Sequence, residues 1–387
     1  MRLAAIAIAL RWPVSLYSGV LAGRQRFDVL NGLRAGVATV NAAGGTAILV
    51  ITGDLIAYMG WTVVAAAVEV TAYSSMVVRL LPGLLIRPKA QPPLDRTMWS
   101  FARGMTLINL LTMVLTQSDR LLISKLLAIQ VLGYYALAYN ILYGLTLIQN
   151  FVTSAMFPAF VLSAAGSAAN ELRERYNKAA HVLMYAYNLP IWLLVFFGRD
   201  ILALVTSQGT ADQTAPILSI LAVGFLLNAS ASLAYTAAVA TGNTSLPIRY
   251  NLIAVGGYVP ILVALTMRLG ATGAALAWFL LNLYYLPTVV RIVHRDVVRT
   301  PSTRWLARDF LPFVAAGVVC FGVARTVDVL GGGGSVISVE AAALGVATYS
   351  LIGFALLRPA TRAEIGASLR GLRPAWSRGP VMSRELV

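Results

Sequence analysis

Apolar residues run through this chain in blocks of about 20, separated by short polar connections, and they lack the every-other-residue alternation of a barrel strand. The blocks lie near residues 3–23, 35–53, 55–78, 101–117, 131–164, 179–198, 214–241, 248–267, 271–290, 308–324 and 335–357. Alanine, leucine and valine fill them. At a rise of ~1.5 Å per residue, blocks of this size cross the ~30 Å hydrocarbon core of a bilayer as helices. The pattern predicts about eleven transmembrane helices. Pro190, Pro260 and Pro287 fall inside the blocks, a placement that membrane helices tolerate because neighbouring groups re-satisfy the freed backbone.

Composition supports the same class. Of 387 residues, 58% are hydrophobic and 12% charged, too few charges to cover the surface of a soluble protein of this length. The expected fold is all-α and integral to the membrane. Its expected domains are a partial N-terminal lobe of three helices (1–100), a complete six-helix lobe (101–300), two additional C-terminal helices (301–357) and a basic tail (358–387).

The net charge of +15 raises the question of nucleic acid, and its distribution answers it. Twenty-three of the thirty Lys and Arg residues lie in alternate connections and the C-terminal tail, and five in the connections between (Arg120, Lys125, Arg199, Arg268 and Arg325). Arg2 and Arg11 complete the set. Such alternation is the positive-inside rule, and one missed helix would scramble it. A nucleic-acid face would instead gather cations and stacking aromatics on one surface.

The tail is therefore expected in the cytoplasm, which with eleven spans puts Met1 outside, beside the cationic Arg2. A cleaved signal peptide is the alternative, with "LAAIAIAL" as its apolar region, but that run is short and Arg-Trp-Pro is a poor cleavage context. The expectation is that the sequence begins partway through a larger protein, at an internal Met or a misassigned start.

Enzymatic chemistry is sparse. Cys320 stands alone in a span, and His181 and His294 lie far apart with no ligand spacing around them. The "GGGGS" at 331–335 reads as a flexible connector. The longest connections, 79–103 and 291–308, are basic, where a metal-dependent sugar transferase would carry a carboxylate-rich loop. No enzyme, metal or cofactor is expected.

What remains is polarity within the spans. Arg11 and Glu69 are the two ionisable residues at mid-depth, within roughly a turn of the same height. Each charge there costs at least ~2.5–3.5 kcal/mol, so it faces a wet cavity or a partner. Asn41, Asn109, Tyr135, Tyr139, Asn140, Gln149, Asn150, Asn188, Asn228, Asn282 and Tyr284 add amides and phenols. Singly these are more often interhelical hydrogen bonds; together they suit hydroxyls and sugar rings, while a guanidinium suits phosphate. Asp119 and Arg120 fall at the outer end of a span, where an interfacial cap or ion pair is expected.

The order of several segments resembles the oligosaccharide flippases of polysaccharide biosynthesis, in the multidrug/oligosaccharidyl-lipid/polysaccharide exporter superfamily. The segments are "YSGVLAGRQRFDVLNGLR" (17–34), "QSDRLLISKLL" (117–127), "LGYYALAYNILYG" (132–144), "MFPAFVLSA" (156–164), "ATGNTSLPIRYNLI" (240–253) and "GATGAALAWFLLNLYYLP" (270–287). Members of that family have twelve to fourteen helices in two lobes around a central cavity, so the first span here would match the fourth helix. Three missing helices would return the N-terminus to the cytoplasm. A faint repeat, "YSGVLAGRQRF" against "YTAAVATGNTS" (235–245), echoes the two-lobe plan. The lipid II branch has an acid–arginine pair where this chain has Tyr139 and Asn140, which lowers the case for a peptidoglycan precursor as cargo.

The resemblance implies a flippase of the bacterial cytoplasmic membrane, moving polyprenyl-diphosphate-linked oligosaccharide by alternating access for O-antigen, exopolysaccharide or capsule synthesis. Arg11 would hold diphosphate or an acidic sugar, and Asn109, Tyr139, Asn140 and Asn188 would line the sugar path. Arg24, Arg26 and Arg103 would attract cargo at the cytoplasmic mouth. Glu69 would carry a coupling proton or neutralise Arg11; proton or sodium coupling fits, and no cofactor is implied. Partners would be the lipid-linked oligosaccharide, the bilayer, and a polysaccharide polymerase with glycosyltransferases. The alternatives are a drug or metabolite antiporter of the same superfamily and an inactive truncated fragment.

Overall fold

The computed structural model describes residues 2–24, 26–80, 96–165, 169–242, 245–332, 335–359 and 361–363. Arg87 and Lys89 of the first basic connection, the middle of the GGGGS connector and the tail from residue 364 lie outside the described residues. Among those described, every regular element is helical, so the all-α expectation holds. The chain divides into two compact units, Met1–Asp95 and Arg96–Val387.

The first unit is three helices, α1 (Arg2–Gly23), α2 (Phe27–Thr52) and α3 (Leu55–Leu80). Two residues make the α2–α3 turn. Gly53 takes the left-handed conformation at the end of α2 (φ 62°), and its N–H bonds Leu49 O at 2.9 Å. Asp54 then caps α3, its carboxylate accepting from Ile56 N at 2.8 Å and Ala57 N at 3.3 Å. α3 packs on both other helices. At Gly44 the indole of Trp61 lies so close that a Cβ would sit 2.0 Å from the ring. This is the small-residue contact by which membrane helices approach without a hydrophobic drive between them. A small core of Leu21, Leu30, Tyr73 and Val77 closes one end.

The second unit holds α4 (Arg96–Leu126), α5 (Ile129–Ala165), α6 (Ala169–Val205), α7 (Gln208–Ala240), α8 (Ser245–Tyr285), α9 (Leu311–Leu330) and α10 (Ser335–Leu356). Helix α7, started by Ser207 accepting from Thr210 N, is its central post and packs against α5, α6 and α8. Its Ala229, Ala234, Ala237 and Ala238 are buried to 1% exposure or less and let neighbours approach closely. Helices α9 and α10, the pair expected at 301–357, pack on α6 within this unit.

Nine described segments are long and apolar enough to cross a membrane, against eleven predicted blocks. Two causes account for the difference. Helix α4 is too rich in Thr, Gln, Ser and charge to count by composition, and 245–298 counts once although it holds two blocks. The second case is a hairpin. Gly270 breaks α8 with φ 62° and ψ −140°, and Tyr285 O–H donates to Asn251 Oδ1 at 3.1 Å. A straight helix would hold those residues about 51 Å apart, so the two arms fold back on one another. Beyond α8 the chain continues through wide π turns at Leu286–Val290, His294–Val298 and Leu306–Phe310 before α9.

Candidate functional site

Within the first unit, α1 and α3 bring the two mid-depth charges together. Arg11 Nε lies 2.9 Å from Glu69 Oε2, with 38% of the Arg11 side chain and 19% of that of Glu69 uncovered. Pairing removes much of the cost of either charge. It does not close the site, because more than a third of Arg11 remains free to meet a ligand or solvent. Arg26 grips Asp28 through two contacts, at 3.0 and 3.1 Å, and Arg24 beside it is exposed. Both line a small pocket of about 200 Å³ with Leu21 and Leu80.

The second unit carries a groove of about 350 Å³ between α4, α7 and α8, its mainly apolar wall set with amides and hydroxyls. Asn109, Thr112 and Thr116 come from α4, Asn228, Ser232 and Tyr235 from α7, and Tyr250, Asn251, Trp278 and Tyr285 from α8. Asn228 Nδ2 donates to Asn282 Oδ1 at 2.8 Å, and Asn282 Nδ2 donates back to Trp278 O at 2.8 Å. The amides are thereby fixed in orientation, and the buried indole N–H of Trp278 has no partner. Such a wall of amides, hydroxyls and aromatic faces is chemically suited to a neutral sugar.

Of the four residues predicted to line one sugar path, Asn109 alone is in this groove. Asn140 is exposed on α5. Asn188 is fully buried, its amide donating to Met184 O and accepting from Trp192 Nε1 at 2.9 Å, so both its ends are used inside α6. Tyr139 is buried as a stacking plate. Arg120 Cζ stands 3.8 Å from its ring centroid and Phe225 meets it edge-on at 5.4 Å. Arg103 is exposed on α4 and lies over Trp99 at 5.8 Å.

Asp119 is not the interfacial cap expected of it. It is fully buried, accepting 2.6 Å from Tyr135 O–H and 2.7 Å from Arg120 N. An acid and an arginine do meet the "YYALAYNILYG" segment here, but they reach it from α4. Sequence could place Asp119 at a span end; it could not show that Tyr135, sixteen residues on, turns towards it.

Two further clusters escaped the reading of mid-depth charges. Asp309, next to the start of α9, pairs with His181 of α6 and accepts 2.8 Å from Arg358 Nη2 beyond α10. Arg325 of α9 reaches Asp200 and Asp328, each at 2.6 Å, and Ser338 O–H donates to Asp328 at 2.9 Å. The signal was available: His181 and Arg358 both flank spans on the basic side, where Asp309 also lies. Among the described residues no group of His, Cys, Asp and Glu is arranged to hold a metal.

Comparison with known proteins adds an independent line. A family model described as "Polysaccharide biosynthesis protein" matches residues 37–208. A curated protein of Shigella flexneri, named "Putative O-antigen transporter", is 24% identical over 281 residues, covering 72% of this chain and 65% of that protein. Among solved structures, the lipid II flippase MurJ in an inward closed conformation has a similar fold, with a TM-score of 0.60 at 13% identity over 82% of this chain and 65% of that one. This chain therefore spans just under two thirds of the length of the relatives it matches. The matches agree with the resemblance carried by the motifs: over residues 37–208 the chain is similar to polysaccharide-biosynthesis proteins, and its helices are those of a multi-pass membrane protein.

Proposed function

We propose that this chain carries out, or forms part of, a flippase that moves polyprenyl-diphosphate-linked oligosaccharide across the bacterial cytoplasmic membrane for surface-polysaccharide synthesis. The observation that carries this reading is the likeness to the O-antigen transporter over 72% of the chain. The open Arg11–Glu69 pair supports it, since a half-covered guanidinium is a ready partner for diphosphate or an acidic sugar. The physical task is clear. Unaided, diphosphate and sugar hydroxyls would have to shed their water in hydrocarbon, at several kcal/mol per unsatisfied group.

In this reading Arg11 holds the anionic group, Glu69 balances it or carries a coupling proton, and the α4–α7–α8 groove with Asn109 offers sugar contacts. Arg24, Arg26 and Arg103 draw in cargo at the cytoplasmic mouth, the tail lies in the cytoplasm, and a polysaccharide polymerase and glycosyltransferases are its partners. The likeness to a protein named as a transporter and to the fold of a flippase supports this reading; no chemical step is assigned to any residue.

The test is reconstitution in proteoliposomes with a fluorescent polyprenyl-diphosphate oligosaccharide, scored by label reaching the opposite leaflet. Flipping above empty liposomes is expected, with proton dependence lost in Glu69→Gln if Glu69 is the coupling site. Export of a cationic dye with no movement of the lipid-linked sugar would instead establish an antiporter.

A further inference from the structure

The basic connection at 291–308 forms a pocket of its own. It measures about 940 Å³ and lies between the end of the α8 extension and the residues that lead into α9. Its floor is apolar, with Leu286 and Leu306, and its rim carries Arg291, Arg295 and Arg299. Arg295 is engaged by Asp296 at 2.6 and 3.0 Å. Arg291 and Arg299 are exposed and form no ion pair among the described residues. Within the wall, the Trp305 indole N–H and the Thr300 hydroxyl are both shielded from solvent and have no hydrogen-bond partner, and Trp305 is 2% exposed.

The backbone is strained at the same place. Arg299 has φ 55° and ψ 43°, the one non-glycine residue with positive φ among those described. Here it ends a π turn, with its N–H and that of Thr300 both directed to His294 O. A chain that needed only a turn would use glycine at no penalty. An arginine kept in that conformation puts a guanidinium on the pocket's rim.

We infer that this pocket binds the headgroup of an anionic phospholipid from the leaflet that faces the basic connections. The apolar floor suits acyl chains, two unpaired guanidiniums suit one phosphodiester, and the buried N–H and hydroxyl offer further donors. The site lies wholly within the second unit and does not depend on the transport reading or on Arg11.

The full chain, delipidated in mild detergent, is titrated with phosphatidylglycerol and with phosphatidylcholine and read by native mass spectrometry. Phosphatidylglycerol is expected to be retained in preference. Arg291→Gln with Arg299→Gln should weaken it by roughly an order of magnitude or more, at about 1 kcal/mol per basic residue. Arg304→Gln with Arg308→Gln, an equal loss of charge on exposed residues outside the pocket, should leave it nearly unchanged. Arg299→Gly separates binding from folding, because it removes the guanidinium and relaxes the backbone. Weaker retention with an unchanged or higher Tm supports the site. Equal losses in the two double variants, equal retention of both phospholipids, or tighter binding of a polyprenyl diphosphate than of phosphatidylglycerol would each overturn it.

Discussion

The two units handle buried charge in opposite ways. In the second, three buried aspartates are each closed into a set of partners. Asp119 has Tyr135 and a backbone N–H; Asp309 has His181 and Arg358; Asp328 has Arg325 and Ser338. In the first, the Arg11–Glu69 pair is left partly uncovered within a thin three-helix assembly whose core is four residues. A closed charge fixes helices in register. An open one retains the ability to bind something that arrives later. The contrast teaches that burial of a charge does not by itself mark a binding site.

The comparison can be broken by substitution, and the effects on stability should fall in a definite order. Asp309→Ala should be the most damaging, leaving His181 and Arg358 without their acid at a cost of about 3–5 kcal/mol, seen as a marked fall in the unfolding temperature in detergent. Tyr135→Phe removes one donor from a buried carboxylate and should cost about 1–3 kcal/mol, measured the same way. Arg11→Gln should lower the unfolding temperature less than either, because glutamine can still donate to Glu69 and both side chains are partly uncovered. Its effect belongs to transport, where flipping should fall by roughly an order of magnitude, equivalent to ~1.4 kcal/mol. If Arg11→Gln unfolds the protein as Asp309→Ala does, the pair is structural and the distinction between the units collapses.

The small-residue contact at Gly44 sharpens the same comparison at the lowest cost in chemistry. Gly44→Ala introduces a Cβ 2.0 Å from the Trp61 ring, so the thin first unit must shift its α2–α3 packing. Its Tm should drop while the ion clusters of the second unit, followed by hydrogen exchange of α6 and α9, stay protected.

Much of the architecture was legible in advance because a bilayer imposes one rule on every span: bury apolar surface and satisfy the backbone internally. The eleven apolar blocks, the alternation of basic connections and the all-helical class follow from that rule and are read along a single helix. The hairpin at Gly270 was legible too, as two blocks with a polar break between them. Arg11 and Glu69 were legible as charges at equal depth, each facing a wet cavity or a partner; the packing of α1 on α3 decided that they pair. Other partners were not legible. Asn188 read as a sugar contact and is spent on Trp192, four residues along its own helix. Asp309 drew no reading from the sequence and is a junction between α6, α9 and the residues after α10.

By itself, then, the sequence determined which segments are helices in lipid and which connections carry the positive charge. The tertiary structure decided which polar side chains are consumed by one another and which are left with bonds to offer. The reason is one of range. Hydropathy and helical period act between residues a few positions apart, whereas the groups that satisfy a buried carboxylate can stand 128 residues away, as His181 does from Asp309. Only the packing of helices against each other brings them within reach.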